Sequence, residues 1–144
     1  MKVHQLAQCP PPAISSKASV LDAVKVMAKA NVGAAAVVDG KKLVGVVSER
    51  DVMLRVVAKQ KDPLTTKVRQ IMTKAVKTVK PECGTDEAIS IMVANHIRHV
   101  VIVNESGSVV GLASSREVFQ AHMESLDDTV RTLEAFACTD TLGG

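Results

Sequence analysis

The chain contains the same unit twice within 144 residues, and this duplication limits its possible folds more than any other feature. Residues 2–39 align with 67–104 at an offset of 65, and residues 43–53 align with 109–119 at an offset of 66. Lys2/Lys67, Gln5/Gln70, Met27/Met92, Gly45/Gly111, Ser48/Ser114 and Arg50/Arg116 are identical pairs. Elsewhere the apolar class is kept, as in Ile14/Val79, Val32/Ile97 and Val37/Ile102. A unit of about 60 residues buries too little surface to be stable alone, so the halves are expected to share a core. Two copies packed about a pseudo-twofold axis create two related clefts. A binding site is expected there.

Each unit reads β-α-β-β-α, an α+β arrangement. Ser19 precedes LDAVKVMAKA with Asp22 three residues on, an N-cap and a capping-box-like acid. Asn31-Val32-Gly33 breaks that helix. The apolar runs 34–38 and 43–47 then flank Asp39-Gly40-Lys41-Lys42, a hairpin signal. Ser48 opens a second amphipathic helix. In the second copy Thr85 is expected to cap DEAISIMVAN, residues 99–103 and 109–113 to form the hairpin around Ser106-Gly107, and Ser114 or Ser115 to open the next helix. Short extended runs at Ile14 and Val79 lead each unit. The expected division is a first repeat with its linker over 1–63, a second repeat over 64–124, and a C-terminal helix and tail over 125–144. That last helix, roughly Asp127–Ala137, lies outside the duplication and either caps the core or pairs with another subunit.

Composition narrows the function classes. No apolar run approaches the ~18 residues of a membrane span, and the N-terminus lacks the pattern of a secretory signal. Cys9, Cys83 and Cys138 are odd in number and form no C-x-x-C pair, which favours idle thiols in a reducing cytoplasm. Residues 59–80 carry a local charge of +6 and residues 104–144 one of −5, so an anion-attracting region adjoins the second repeat. Nucleic acid is one partner such a region suggests. Against it, two Phe and no Tyr or Trp leave little platform for base stacking. No Ser-His-Asp order, P-loop, G-x-G-x-x-G or carboxylate cluster points to an enzyme. His96 and His99 form H-x-x-H without a Cys or carboxylate at ligand spacing, so no metal site is expected.

The sharpest local signal is Ser48-Glu49-Arg50-Asp51, where a strand ends and a helix begins. Read as structure alone, Ser48 is an N-cap and Asp51 a first-turn acid, together stabilising the helix by roughly 1 kcal/mol. Read as chemistry, the free N–H groups of a helix start favour an anion, the hydroxyl adds a hydrogen bond, Asp51 can accept two from a vicinal diol such as a ribose, and Arg50 adds charge. The pattern recurs as Ser114-Ser115-Arg116-Glu117.

GVVSERDV and GLASSREV, the hairpin segments NVGAAAVVDG and NHIRHVVIVNESG, and the 65-residue repeat together resemble the tandem CBS domain pair, or Bateman module, of the small stand-alone bacterial type. The resemblance spans about residues 1–124, and DDTVRTLEAFA is similar to the closing helix of those proteins. It implies two CBS repeats about a pseudo-twofold axis, a homodimeric disc of four repeats, and a non-catalytic regulatory module. Its implied ligands are adenine-containing: AMP, ADP, ATP, NAD(H) or S-adenosylmethionine. An energy or redox sensor acting on an unidentified regulated protein follows, with nucleic-acid binding or purely structural dimerisation as the alternatives. Carried over residue by residue, the main cleft combines Val46, Ser48, Arg50 and Asp51 with Thr73, Thr78, Ile97, Arg98 and His99. A second, weaker cleft combines Ser114, Arg116 and Glu117 with Gln8, Ala13, Val32, Gly33 and Ala34. There Glu117 stands where the pattern has Asp, and Gly33-Ala34 stands where the first cleft has Arg98-His99, so that cleft is expected to lack a cation for a phosphate.

Overall fold

A computed structural model describes residues 1–7 and 10–143. After a 3-10 turn at Val3–Gln5, the first repeat runs β1 (Ala13–Ile14), α1 (Val20–Ala30), β2 (Ala34–Asp39), β3 (Lys42–Ser48) and α2 (Glu49–Val52), which widens into a π-helical stretch at Met53–Val57. The second runs α3 (Val68–Ile71), β4 (Thr78–Val79), α4 (Thr85–Asn95), β5 (His99–Val103), β6 (Val109–Ser114) and α5 (Ser115–Gly143). Among the described residues the strands form two sheets, β1-β2-β3 and β4-β5-β6, each a parallel pair joined to an antiparallel hairpin. This is the α+β fold of two β-α-β-β-α units read from the sequence.

Local chemistry explains the elements. The Ser19 hydroxyl accepts the Asp22 N–H at 3.1 Å and starts α1. Asn31 ends α1 at φ 55° and His96 ends α4 at φ 54°, left-handed positions in the same slot of both repeats. The hairpins turn at Gly40 (φ 63°) and Gly107 (φ 82°), where a side chain would be strained. Thr85 departs from its expected role as a cap. Gly84 occupies that position, and Thr85 is the first helical residue, its N–H donating to the Met1 carbonyl at 3.2 Å.

That bond belongs to a reciprocal exchange between the repeats. Val3 N–H donates to Cys83 O at 2.8 Å, and Val68 N–H donates to Ala18 O at 2.9 Å. Thr85 N–H reaches Met1 O, and Val20 N–H reaches Thr66 O at 2.9 Å. Lys2 bridges Gly84, and Lys67 bridges Ser19. Each pair is related by the 65-residue offset. The leading turn of each repeat therefore docks on the other repeat, and the apolar side chains follow. Val3 is buried with Val79, Ala88 and Met92 of the second unit, whereas Val68 and Ile71 are buried with Val20, Ala23 and Met27 of the first. A third cluster, Ala34, Val101 and Leu112, joins the two sheets.

Helix α5 differs from the expected separate C-terminal element. It runs unbroken through 29 residues, about 43 Å at 1.5 Å per residue. The residues Glu124-Ser125-Leu126-Asp127-Asp128 contain no Gly or Pro to end it.

Close approach explains two glycines. A Cβ on Gly45 would lie 2.9 Å from Thr73 O and 2.8 Å from Met72 Sδ, and one on Gly111 would lie 2.8 Å from Ala7 Cβ. Met72 and Ala7 are themselves offset equivalents, so each glycine admits the other repeat's leading segment. The Thr73 carbonyl is backbone and cannot swing aside. Gly45→Ala should therefore destabilise the protein by about 1–3 kcal/mol, read as a lower midpoint in urea denaturation with a single transition retained.

Candidate functional site

The end of β3 and the start of α2 carry the first candidate group. Ser48 and Asp51 form a capping box. The Asp51 N–H donates to Ser48 Oγ at 3.2 Å, while Ser48 N–H and Oγ–H donate to Asp51 Oδ2 at 2.9 and 3.1 Å. The cap thus holds one carboxylate oxygen. The other, Oδ1, has only long contacts: the Thr73 hydroxyl at 3.4 Å and Arg55 Nη1 at 3.9 Å. Asp51 is 8% exposed, so its carboxylate is fixed in a half-satisfied state beneath the surface. Val46 and Thr73 exchange both backbone hydrogen bonds, at 3.0 and 2.9 Å, which ties β3 to the segment leading into β4. The structural and chemical readings of Ser48 and Asp51 coexist: the cap is what aims the second, weakly held oxygen.

Of the residues assigned to the main cleft, the structure brings together Val46, Ser48, Asp51 and Thr73. Arg50 is exposed on α2. Thr78 is exposed on β4 opposite Val101. Ile97 packs against the second repeat's core, its N–H donating to Met92 O at 3.0 Å. Arg98 and His99 lie elsewhere, in a cavity of about 670 Å³ whose lining includes Glu49 and not Asp51.

That cavity straddles the pseudo-twofold axis. Glu49 N–H donates to Gly33 O at 2.9 Å, and its counterpart Ser115 N–H donates to Arg98 O at 2.7 Å. Val32, Gly33, Ser114, Arg116 and Glu117 of the second cleft line it, together with Asn31, Leu112, Ser115 and Gln120. Ser114 and Glu117 repeat the capping box with longer bonds, 3.3 and 3.4 Å. Ala34 is fully buried and Ala13 is exposed on β1. Gln8 lies outside the described residues, as does Cys9. The absence of a cation for a phosphate expected of this cleft is a point of difference: Arg98, from the same repeat as Ser114 and Glu117, lines it alongside Arg116. Gly33 leaves room for Glu49, whose Oε1 would meet a Cβ there at 2.9 Å. The wall is therefore electrostatically mixed, two arginines facing two carboxylates.

Sequence reading missed Arg55 and Glu49. Arg55 stands four residues after Asp51, the helical spacing that brings opposite charges together, and it donates to Ile71 O at 2.7 Å and Met72 O at 3.3 Å. Glu49 is the aligned partner of Ser115, so inspecting both copies at that slot would have found it. Among the described residues no three His, Cys, Asp or Glu gather closely enough to hold a metal ion, and no helix is long and apolar enough to cross a membrane.

Comparison with known proteins places this architecture. Residues 3–58 and 68–124 match the CBS domain family. The chain belongs to that family. It is 33% identical over 123 residues to the CBS domain-containing protein CBSX3, mitochondrial, of Arabidopsis thaliana, covering 82% of this chain and 59% of that protein, less than two thirds of its length. Among solved structures, a CBS domain protein from Pyrobaculum aerophilum complexed with AMP superposes with TM-score 0.74 and 33% identity, covering 81% of this chain and 89% of that one. The CBS domain pair of protein MJ0100, in complex with 5-methylthioadenosine and S-adenosyl-L-methionine, gives TM-score 0.78 and 25% identity, covering 87% and 98%. CBS pairs are in general regulatory modules, and this chain has their fold.

His99 supplies a titratable probe of the cavity. Burial pushes its pKa below the ordinary 6.5, Glu49 and Glu117 oppose that shift, and Arg98 reinforces it. A depressed folded-state value means the unfolded chain takes up the proton first. The stability held by neutral His99 is therefore complete above 6.5 and lost as pH falls through the lower folded value. NMR titration should find the His99 ring titrating below 6.5, and His99→Gln should flatten the fall in stability over that window.

Proposed function

We propose that this CBS pair binds an adenine-containing ligand between its repeats and passes occupancy to a second subunit or a regulated protein, with no chemistry of its own. The observation that carries this reading is the fixed, half-satisfied carboxylate of Asp51. A ribose diol needs an acceptor that is already oriented, and Oδ1 is held by the cap on its neighbour oxygen. Val46 offers aliphatic surface beside it and Thr73 a hydroxyl from the other repeat. AMP in the Pyrobaculum aerophilum protein, and 5-methylthioadenosine and S-adenosyl-L-methionine in the MJ0100 pair, support the adenosine class. AMP, ADP, ATP and NAD(H) all carry that half, so an energy or redox sensor is the role it suits. The working form is a homodimer.

A second reading places the ligand in the axial cavity, where Arg98 and Arg116 can meet a phosphate and Glu117 a ribose hydroxyl. Its mixed charge suits a nucleoside or monophosphate better than a triphosphate. Isothermal titration of AMP, ATP, NADH and S-adenosylmethionine separates the two. Loss of a hydrogen-bonded pair with a charged partner costs roughly 1.5–3 kcal/mol, so Asp51→Ala should weaken the best of these ligands about ten- to hundredfold and Glu117→Ala should leave it nearly unchanged. The opposite order moves the ligand to the cavity. Absence of heat for all four in the parent protein removes the adenosine reading.

A further inference from the structure

Helix α5 presents an apolar stripe that begins within the second repeat, continues past its end at residue 124, and is covered by no other described part of the chain. Phe119, Met123, Leu126, Val130 and Leu133 are 39, 69, 53, 51 and 62% exposed. Their spacing is four, three, four, three, so the stripe winds along one side of the helix as the a and d positions of heptads. The buried residues Val118 and Ala121 show that the helix meets its own core with a different side. The outward positions Glu124, Ser125, Asp128, Arg131 and Thr132 are polar. An amphipathic helix docked on its own domain shows a broad apolar face turned inward. A narrow seam turned outward is the pattern of helix pairing with an equal.

We infer that the α5 helices of two copies pair side by side and parallel through this seam, as a two-stranded coiled coil. A second copy fits because the seam is complementary to itself: the side chains at a and d offer the same alternation that they must receive. Direction follows from the flanks. With Met123 and Val130 at a, the e positions are Gln120, Asp127 and Glu134, and the g positions are His122, Thr129 and Phe136. Antiparallel packing sets one e row against the other and concentrates Asp127 and Glu134. Parallel packing sets g against the following e, which places His122 near Asp127 and Thr129 near Glu134 of the other copy. The parallel pair avoids acid against acid. Asp127 keeps its bond to Arg131 of its own helix at 3.1 Å, on the outer side of the seam.

This pairing names the surface of the homodimer given above and is independent of any ligand. Sedimentation velocity of the full chain should show a dimer. The double substitution Leu126→Asp/Leu133→Asp should raise the dissociation constant about a hundredfold or more, with the circular dichroism spectrum retained because both side chains are exposed. In a parallel pair, and not in an antiparallel one, a d residue faces its own copy. Mild oxidation of the Leu133→Cys variant should therefore link position 133 to position 133 of the other copy, identified by peptide mapping. A dimer that survives the double substitution overturns the seam alone and moves the interface to another surface, such as exposed Met53, Leu54 and Val57. If the Leu133→Cys chain fails to link to itself and links instead to a Met123→Cys chain, the parallel arrangement is overturned. A monomeric parent protein overturns both this surface and the homodimer, while leaving the titrations of Asp51 and Glu117 to decide the ligand separately.

Discussion

Reciprocal docking of the two leading turns is the constraint on which the rest of the molecule depends. Val3 N–H is satisfied by Cys83 O and Val68 N–H by Ala18 O, so each repeat completes its core with an apolar side chain delivered by the other. Neither repeat can bury its own interior unaided. The exchange explains why two units, each too small to fold alone, make one cooperative body. It also aligns the hairpins across a common axis, and the axial cavity and the Asp51 cleft arise where those hairpins meet. Gly45 and Gly111 serve the same geometry, since each leaves the space through which the other repeat's leading segment passes.

Near-symmetry with local departures gives the candidate sites their differences. The same slot holds Asp51 in one repeat and Glu117 in the other. The shorter side chain makes a tight capping box at 2.9 Å, while the longer one makes a looser box at 3.3 Å. The paired slot of Gly33 and Arg98 works likewise. Gly33 yields its volume to Glu49, and Arg98 brings a cation to the same space. A duplicated chain can thus hold two chemically distinct environments on one scaffold with a handful of substitutions.

Much of this was legible in the sequence. The offset identities established the duplication, Ser19 marked the start of α1, and Asn31, Gly40 and Gly107 marked the chain reversals, because each of those signals is local. Ser48 and Asp51 were legible as a pair for the same reason. The exchange was not, since Lys2 and Gly84 are distant in sequence and nothing near either residue records the other. Arg98 on the far side of the axis was misplaced for a related reason: alignment relates equivalent positions, whereas the cavity gathers residues that the symmetry brings face to face. Thr85 looked like a cap by residue type, yet its backbone N–H is claimed by Met1 O, and Gly84 took the extended conformation ahead of the helix.

Arg55 gives the Asp51 cleft a mechanical connection. Its guanidinium touches the carbonyls of Ile71 and Met72 on one side and lies near Asp51 Oδ1 on the other. Those carbonyls belong to the stretch that carries the chain from one half of the molecule into the other. The Thr73 hydroxyl and the Arg55 guanidinium share that oxygen, so the start of α2 and the segment entering the second half converge on one carboxylate.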